Sequence, residues 1–281
     1  MRILLIGGAG QLGQALLPLL SGEVWAPSSP EVNLTRSVEV THAFESFRPN
    51  LAINLSAYNF VDKAEHEPEQ AFAVNAIGVQ HFASQAAAID AGCVHVSTDY
   101  VFGLDADRSA PYTETDLPGP VSVYGNSKLA GEYFVRSLAP RHLVVRTCGL
   151  YGRSKSAGKG NFVETMLRLA DTHDELRVVN DQCCTPSSAE TVADAIAALI
   201  DRDCWGLFHV TDSGEATWYE MAKEVLRLAG KRTPIVPITT AEFAAKAARP
   251  RYSVLCTKKT DQAIGRKLPP WQEALARYLD S

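Results

Sequence analysis

The run Gly7-Gly8-Ala9-Gly10-Gln11-Leu12-Gly13 constrains this chain more than any other feature. It follows directly on an apolar segment, residues 2–6, and opens a segment over residues 11–20 with helical spacing of apolar side chains. A strand that ends in glycines and turns at once into a helix begins a βαβ unit. Glycine permits the tight turn and lets the backbone approach a pyrophosphate. The helix start adds free N–H groups and the positive end of a dipole. The G-x-x-G-x-x-G spacing of Gly7, Gly10 and Gly13 therefore predicts a bound dinucleotide.

The rest of the first half repeats the pattern. Apolar runs at 24–26, 51–55, 93–97 and 143–146 read as strands, and residues 37–47, 67–91 and 122–137 read as helices. The strands lack alternation, as in a sheet covered on both faces. This predicts an α/β fold, a Rossmann-type doubly wound parallel sheet, over residues 1–150. Residues 151–281 read as a smaller C-terminal α/β substrate-binding region packed over the sheet end. Helices are expected there at 161–172, 188–201, 217–229 and 271–279, with a short strand at 208–210.

With 46% hydrophobic and 21% charged residues, the 281-residue chain can bury a large core. Its net charge of −5 gives no general attraction to nucleic acid or to an anionic membrane. No run approaches the roughly 20 apolar residues of a membrane span. The six cysteines form no C-x-x-C pair, and the start lacks a signal-peptide pattern. The expectation is a cytoplasmic protein with reduced thiols that serve as small buried apolar residues.

Tyr124 and Lys128 form Y-x-x-x-K on an expected helix, where positions i and i+4 share a face. Reduction of a ketone needs a hydride on carbon and a proton on oxygen. A free tyrosine, with a pKa of about 10, is poorly matched to that task at neutral pH. A cation within about 4–6 Å lowers that value, and Lys128 is expected to do so. Thr98 follows the strand at 93–97, at the end where open α/β sheets bind ligands, with a hydroxyl free to polarise a carbonyl. Beyond the second strand, Trp25-Ala26-Pro27-Ser28-Ser29-Pro30 holds neither acid nor base for the adenosine ribose. Both NADPH and NADH are therefore expected to bind.

In order and spacing, these motifs resemble the extended short-chain dehydrogenases/reductases, and more narrowly the dTDP-4-dehydrorhamnose reductase family. The resemblance covers nearly the whole chain. It rests on Gly7–Gly13, Val61-Asp62-Lys63-Ala64-Glu65, Ser97–Phe102, Val123–Lys128 with Leu129-Ala130-Gly131-Glu132, Asn161-Phe162, Val179-Asn180-Asp181-Gln182, and Arg249-Pro250 with Ser253 and Leu255. It implies NAD(P)H-dependent reduction of the 4-keto group of a nucleotide-linked deoxysugar, dTDP-4-dehydro-L-rhamnose to dTDP-L-rhamnose. Thr98, Tyr124 and Lys128 are then the catalytic trio, with Lys128 also on the nicotinamide ribose. Gly10, Gln11 and Leu12 meet the pyrophosphate, Asn33 and Leu34 lie by the adenine, and Ala57, Tyr58 and Asn59 lie by the far ribose and phosphates. Thr98 and Asp99 touch the sugar, and Asn161, Gln182 and Arg249 serve the nucleotide diphosphate.

The chain departs from that family at Arg146-Thr147-Cys148-Gly149, where Gly149 stands in place of a tryptophan that packs on the sugar. A looser sugar pocket is the expectation. Related dimers are bridged by Mg²⁺ through glutamates. Glu190 and Glu273 match two of those positions, but Ala15 replaces the first-helix carboxylate, so the expected assembly is a monomer or a metal-independent homodimer. Two other readings stand beside the reductase. A nucleotide-sugar dehydratase carries Asp-Glu after the threonine, whereas Tyr100 follows Asp99 here, which leaves reduction or 4-epimerisation. A non-catalytic regulatory subunit, similar to the methionine adenosyltransferase beta subunit, is the other.

Overall fold

A computed structural model describes residues 1–154 and 160–280. Six parallel strands form the central sheet: β1 (Arg2–Ile6), β2 (Glu23–Trp25), β3 (Leu51–Asn54), β4 (Gly92–Thr98), β5 (His142–Thr147) and β6 (Gly206–His209), in the order β6-β5-β4-β3-β1-β2. All five pairings are parallel.

Successive side chains of a strand point to opposite faces, so an uninterrupted apolar run feeds two cores. Ile3 and Leu5 of β1 join Ile53, Val94 and Val145 in one core, and Leu4 and Ile6 join Ala52, Cys93 and Val144 in the other. The first core is closed by α1 (Gln11–Leu16) and α6 (Ala189–Asp201), through Leu12, Leu16, Val192 and Ile196. The second is closed by α2 (Ser37–Phe47), α3 (Val79–Ala88) and α4 (Val123–Leu138), through Phe44, Phe82 and Val135. Among the described residues, no helix is long and apolar enough to cross a membrane.

The chain runs from β1 to β2 on one side and then crosses to β3 on the other. That reversal opens a crevice between the carboxyl ends of β1 and β3, the place where such sheets take ligands. Pairing of β3 with β4 ends at Asn54↔His95, whereas pairing of β4 with β5 continues to Thr98↔Thr147. Ser97 and Thr98 therefore stand beyond the end of β3, at the rim of the crevice.

Three features depart from the sequence pattern. The strand expected at 208–210 is β6, an edge of the central sheet, and with α6 it brings the chain back into the Rossmann layers after residue 150. The helix expected over 67–91 is Pro68–Phe72, a π turn at Ala73–Gly78, and α3. The π turn lies against α4 so closely that a Cβ at Gly131 would stand 2.2 Å from the Asn75 carbonyl oxygen. Three two-stranded pairs complete the C-terminal region: Leu150-Tyr151 with Ser187-Ser188, Leu176–Val179 with Ile235–Ile238, and Cys183-Cys184 with Ala216-Thr217. Strands this short carry no periodicity to read. A third core, built on Tyr151, Val163, Met166, Met221, Val225 and Leu275, lies under α5 (Phe162–Ala170), α7 (Trp218–Leu228) and α8 (Trp271–Asp280).

Candidate active site

The glycine run divides into residues needed by the fold and one that faces open space. Gly7 has φ +88°, and a Cβ on it would meet the Ser56 nitrogen at 2.9 Å. A Cβ on Gly13 would come within 2.5 Å of the Gly7 carbonyl, so α1 packs on the turn only with glycine there. At Gly10 nothing lies closer than the Gly7 oxygen at 3.4 Å. No side chain caps the start of α1 at Gly10. An opening beside uncapped N–H groups suits a pyrophosphate, so the residues present fit a dinucleotide. Gln11 and Leu12 form the first turn there.

Across the crevice, Ala57 and Asn59 are exposed, and Tyr58 is fixed by its backbone: its N–H donates to Asn75 Oδ1 at 2.8 Å, and its carbonyl accepts from Asn75 Nδ2 at 3.0 Å. Asn33 shapes a turn, accepting from the Thr35 N–H at 2.9 Å and hydroxyl at 2.8 Å, while Leu34 is buried. Sequence reading found no acid beyond β2, yet the fold supplies one. Glu31 accepts from the Ser28 N–H at 2.7 Å and hydroxyl at 2.6 Å, so Ser28 is already engaged with a carboxylate. Residue 31 lies too far along the chain for a strand-end pattern to include it.

Thr98, Tyr124 and Lys128 converge at the end of β4. Thr98 Oγ1 donates to Asp99 Oδ1 at 3.1 Å and accepts from the Tyr100 N–H at 3.2 Å. The Tyr124 phenol lies beside the Thr98 hydroxyl. Burial pushes the Tyr124 phenol up to about 12, while the neighbouring Thr98 hydroxyl works against this and the Asp99 carboxylate adds to it. Lys128 Nζ donates to the Val96 carbonyl at 2.7 Å. Burial pushes Lys128 down to about 8, and Glu132, one turn further on, partly restores it. The expectation that Lys128 lowers Tyr124 is thus corrected: desolvation of the phenol dominates, and the lysine points at a backbone oxygen. At neutral pH, Tyr124 holds its proton and can donate it.

Three contacts fix α4, and sequence reading assigned none of them. Glu65 Oε1 accepts from the Val123 N–H at 2.9 Å, in the first turn. Asn75 Nδ2 donates to Ser127 Oγ at 2.9 Å, which ties the loop at Tyr58 to α4 through one amide. Glu132 binds Arg146 of β5 bidentately at 2.9 and 2.7 Å and accepts from Ser97 at 2.5 Å, all three fully buried. Glu65 and Glu132 lie within quoted motifs, but their partners are distant in the chain. Asn75 looks like any polar residue of a helical run.

On the sheet's C-terminal side, a small crevice is lined by Asp99, Tyr100, Gly149, Gln182, Trp218 and Ser253, among others. Asp99 is buried, which raises its pKa, and Ser253 Oγ donates to it at 2.6 Å. Gln182 donates to Thr240 at 2.9 Å. Arg249 is committed to Asp62, with contacts of 3.1 and 2.7 Å. Asn161 caps α5: its oxygen accepts from the Glu164 N–H, and its amide donates to the Gly152 carbonyl and the Tyr278 hydroxyl. That bonding uses every polar atom of the side chain, and Asn161 does not line the crevice. Of the cysteines, Cys93, Cys148 and Cys184 are buried and Cys183, Cys204 and Cys256 partly so.

A proton donor set beside a dinucleotide cradle defines the class of this chain, a nicotinamide-dependent oxidoreductase of the extended short-chain type. The model of the RmlD substrate binding domain matches residues 1–281. A dTDP-4-dehydrorhamnose reductase of Sinorhizobium fredii is 39% identical, with 99% of this chain and 97% of that protein covered. A crystal structure of a dTDP-4-dehydrorhamnose reductase from Clostridium acetobutylicum superposes with a TM-score of 0.93 at 40% identity, covering 100% of this chain and 99% of that one. One from Bacillus anthracis, in complex with NADP, gives 0.93 at 35% identity, covering 99% and 98%. The chain belongs to the RmlD family of dTDP-4-dehydrorhamnose reductases.

Removing Glu132 strands the Arg146 charge in the interior. Glu132→Ala is expected to cost about 3–5 kcal/mol of stability in urea unfolding. A loss below about 1 kcal/mol, the range of an exposed pair, would show that the contact does not hold α4 in place.

Proposed function

We propose that this chain reduces the 4-keto group of a nucleotide-linked deoxysugar, dTDP-4-dehydro-L-rhamnose, to the alcohol of dTDP-L-rhamnose, with NADPH or NADH as reductant. The observation that carries the reading is the convergence of Tyr124 and Lys128, both on α4, with Thr98 at the end of β4, beside the glycine cradle. The relatives reported above carry the same activity in their names, and one was solved with NADP.

Bound in the glycine cradle, a reduced nicotinamide supplies the hydride. The protein's own residues handle the oxygen. Thr98 hydrogen-bonds the ketone oxygen and Tyr124 delivers the proton, so that ketone, hydride and proton sum to the alcohol. Lys128, on the same face of α4, would hold the nicotinamide ribose, and its charge would offset the phenolate that remains. Asp99, held by Ser253 and followed by Tyr100, does not provide the Asp-Glu pair that elimination of water requires, which supports simple reduction. An intact trio favours a catalyst over a regulatory subunit.

Tyr124→Phe is expected to lower kcat by about 10²–10⁴, the usual worth of a general acid, with cofactor affinity unchanged. NADPH oxidation followed at 340 nm with a dTDP-4-keto-6-deoxyhexose measures this, and full kcat in the variant would refute the assignment.

The pH profile follows from the two shifts. Tyr124, near 12, stays protonated across the working range, whereas Lys128 loses its charge as pH rises through about 8. Because kcat/KM reports groups of the free enzyme, it is expected to be level below that value and to fall above it. A kcat/KM that rises through pH 8–9 would contradict the role given to the Lys128 cation.

A further inference from the structure

Gly149 leads one to expect an open space at the sugar end of the crevice. The structure places a side chain from another element against it. A Cβ built on Gly149 would lie 3.6 Å from Cη2 of Trp218, after the Pro186 Cα at 3.3 Å and the Thr185 oxygen at 3.5 Å. Gly149 has φ +51°, so this position disfavours any side chain, and the indole of Trp218 lies next to it.

Trp218 is the first residue of α7 and is held firmly. Thr217 caps the helix, accepting from the Glu220 N–H at 3.2 Å, with the Glu220 carboxylate closing the capping box. The indole leans on Phe162, with ring centroids 4.8 Å apart at 50°. It packs on the third core and also lines the crevice that Asp99 and Ser253 line. Asp99, Gln182 and Ser253 supply polar groups to the crevice, beside Tyr100, Pro250 and the cysteines Cys148, Cys183 and Cys184. A half-buried indole among such groups matches a ring with polar edges and an apolar C–H face.

We propose that Trp218 is a substrate-binding residue, the aromatic surface against which the sugar ring of the nucleotide substrate packs. The proposal rests on the nucleotide-sugar reading above and adds a specificity determinant from α7, a helix outside the Rossmann layers. Gly149 then serves to leave room for this indole, and the sugar pocket is closed where an open one was expected.

The test compares wild-type enzyme with Trp218→Leu and Trp218→Phe. Leucine retains apolar volume against the third core, and phenylalanine retains a smaller ring. Kd is measured by calorimetry for a dTDP-hexose, for dTDP alone and for NADPH. Trp218→Leu is expected to weaken the dTDP-hexose by about tenfold, in line with loss of an aromatic contact. Binding of dTDP and NADPH should change less than twofold, and Trp218→Phe should fall in between. Equal weakening of dTDP and dTDP-hexose would overturn the proposal, since it would mean a packing role only, and so would unchanged dTDP-hexose binding. If wild-type enzyme binds dTDP-hexose no better than dTDP, the nucleotide-sugar reading itself fails, and that result is visible before any variant is made.

Discussion

The site depends first on one buried ion pair. Arg146 and Glu132 lie on β5 and α4, both out of contact with solvent. Two charges in that setting are tolerated only when geometry and hydrogen bonding are nearly complete. Here the contact is bidentate and Ser97 of β4 donates to the same carboxylate; the third guanidinium nitrogen, Nη1, has no hydrogen-bond partner among the described residues, and the Phe102 ring lies 5.0 Å from the guanidinium carbon. A pair of this kind adds little net stability, but wrong arrangements leave a charge unpaired. It therefore fixes the rotation of α4 against the sheet. Ser97 precedes Thr98, Lys128 lies one turn before Glu132, and Tyr124 one turn before that. The same contact thus sets the relative positions of Thr98, Tyr124 and Lys128.

Burial then sets the chemistry. The low-dielectric interior that makes the ion pair demanding also disfavours every charged form nearby. It keeps the Tyr124 phenol protonated and leaves the Lys128 ammonium only marginally stable. The two shifts favour proton donation to a ketone over abstraction from an alcohol. Asn75 extends the network to the cofactor side, since one amide holds both the Tyr58 backbone and Ser127.

Much of the fold was legible in the chain because it depends on local pattern. The uninterrupted apolar run of β1 and the helical spacing of α2 coincide with the elements found. Tyr124 and Lys128 were legible because an i, i+4 pair needs only a helix. Features that depend on distant partners were not legible. Nothing local marks Glu132 as the partner of Arg146, brings Glu31 onto Ser28, or sends Trp218 to the space beside Gly149. The π turn arises from packing of Asn75 and Gly131, and β6 joins the sheet only through tertiary pairing. Asn161 shows the opposite case: a capping asparagine and a ligand-binding one look the same in sequence, and the fold uses this one as a cap.

The central claim is that this framework delivers hydride and proton across the C4 carbonyl of a nucleotide-linked deoxysugar. The most direct measurement supplies 4-deuterated NADPH and a dTDP-4-keto-6-deoxyhexose to the enzyme and examines the product by NMR. The account predicts one deuterium per turnover on C4 of the sugar and oxidised cofactor in equal amount. Turnover that leaves the cofactor reduced, or deuterium at any other carbon, would contradict it.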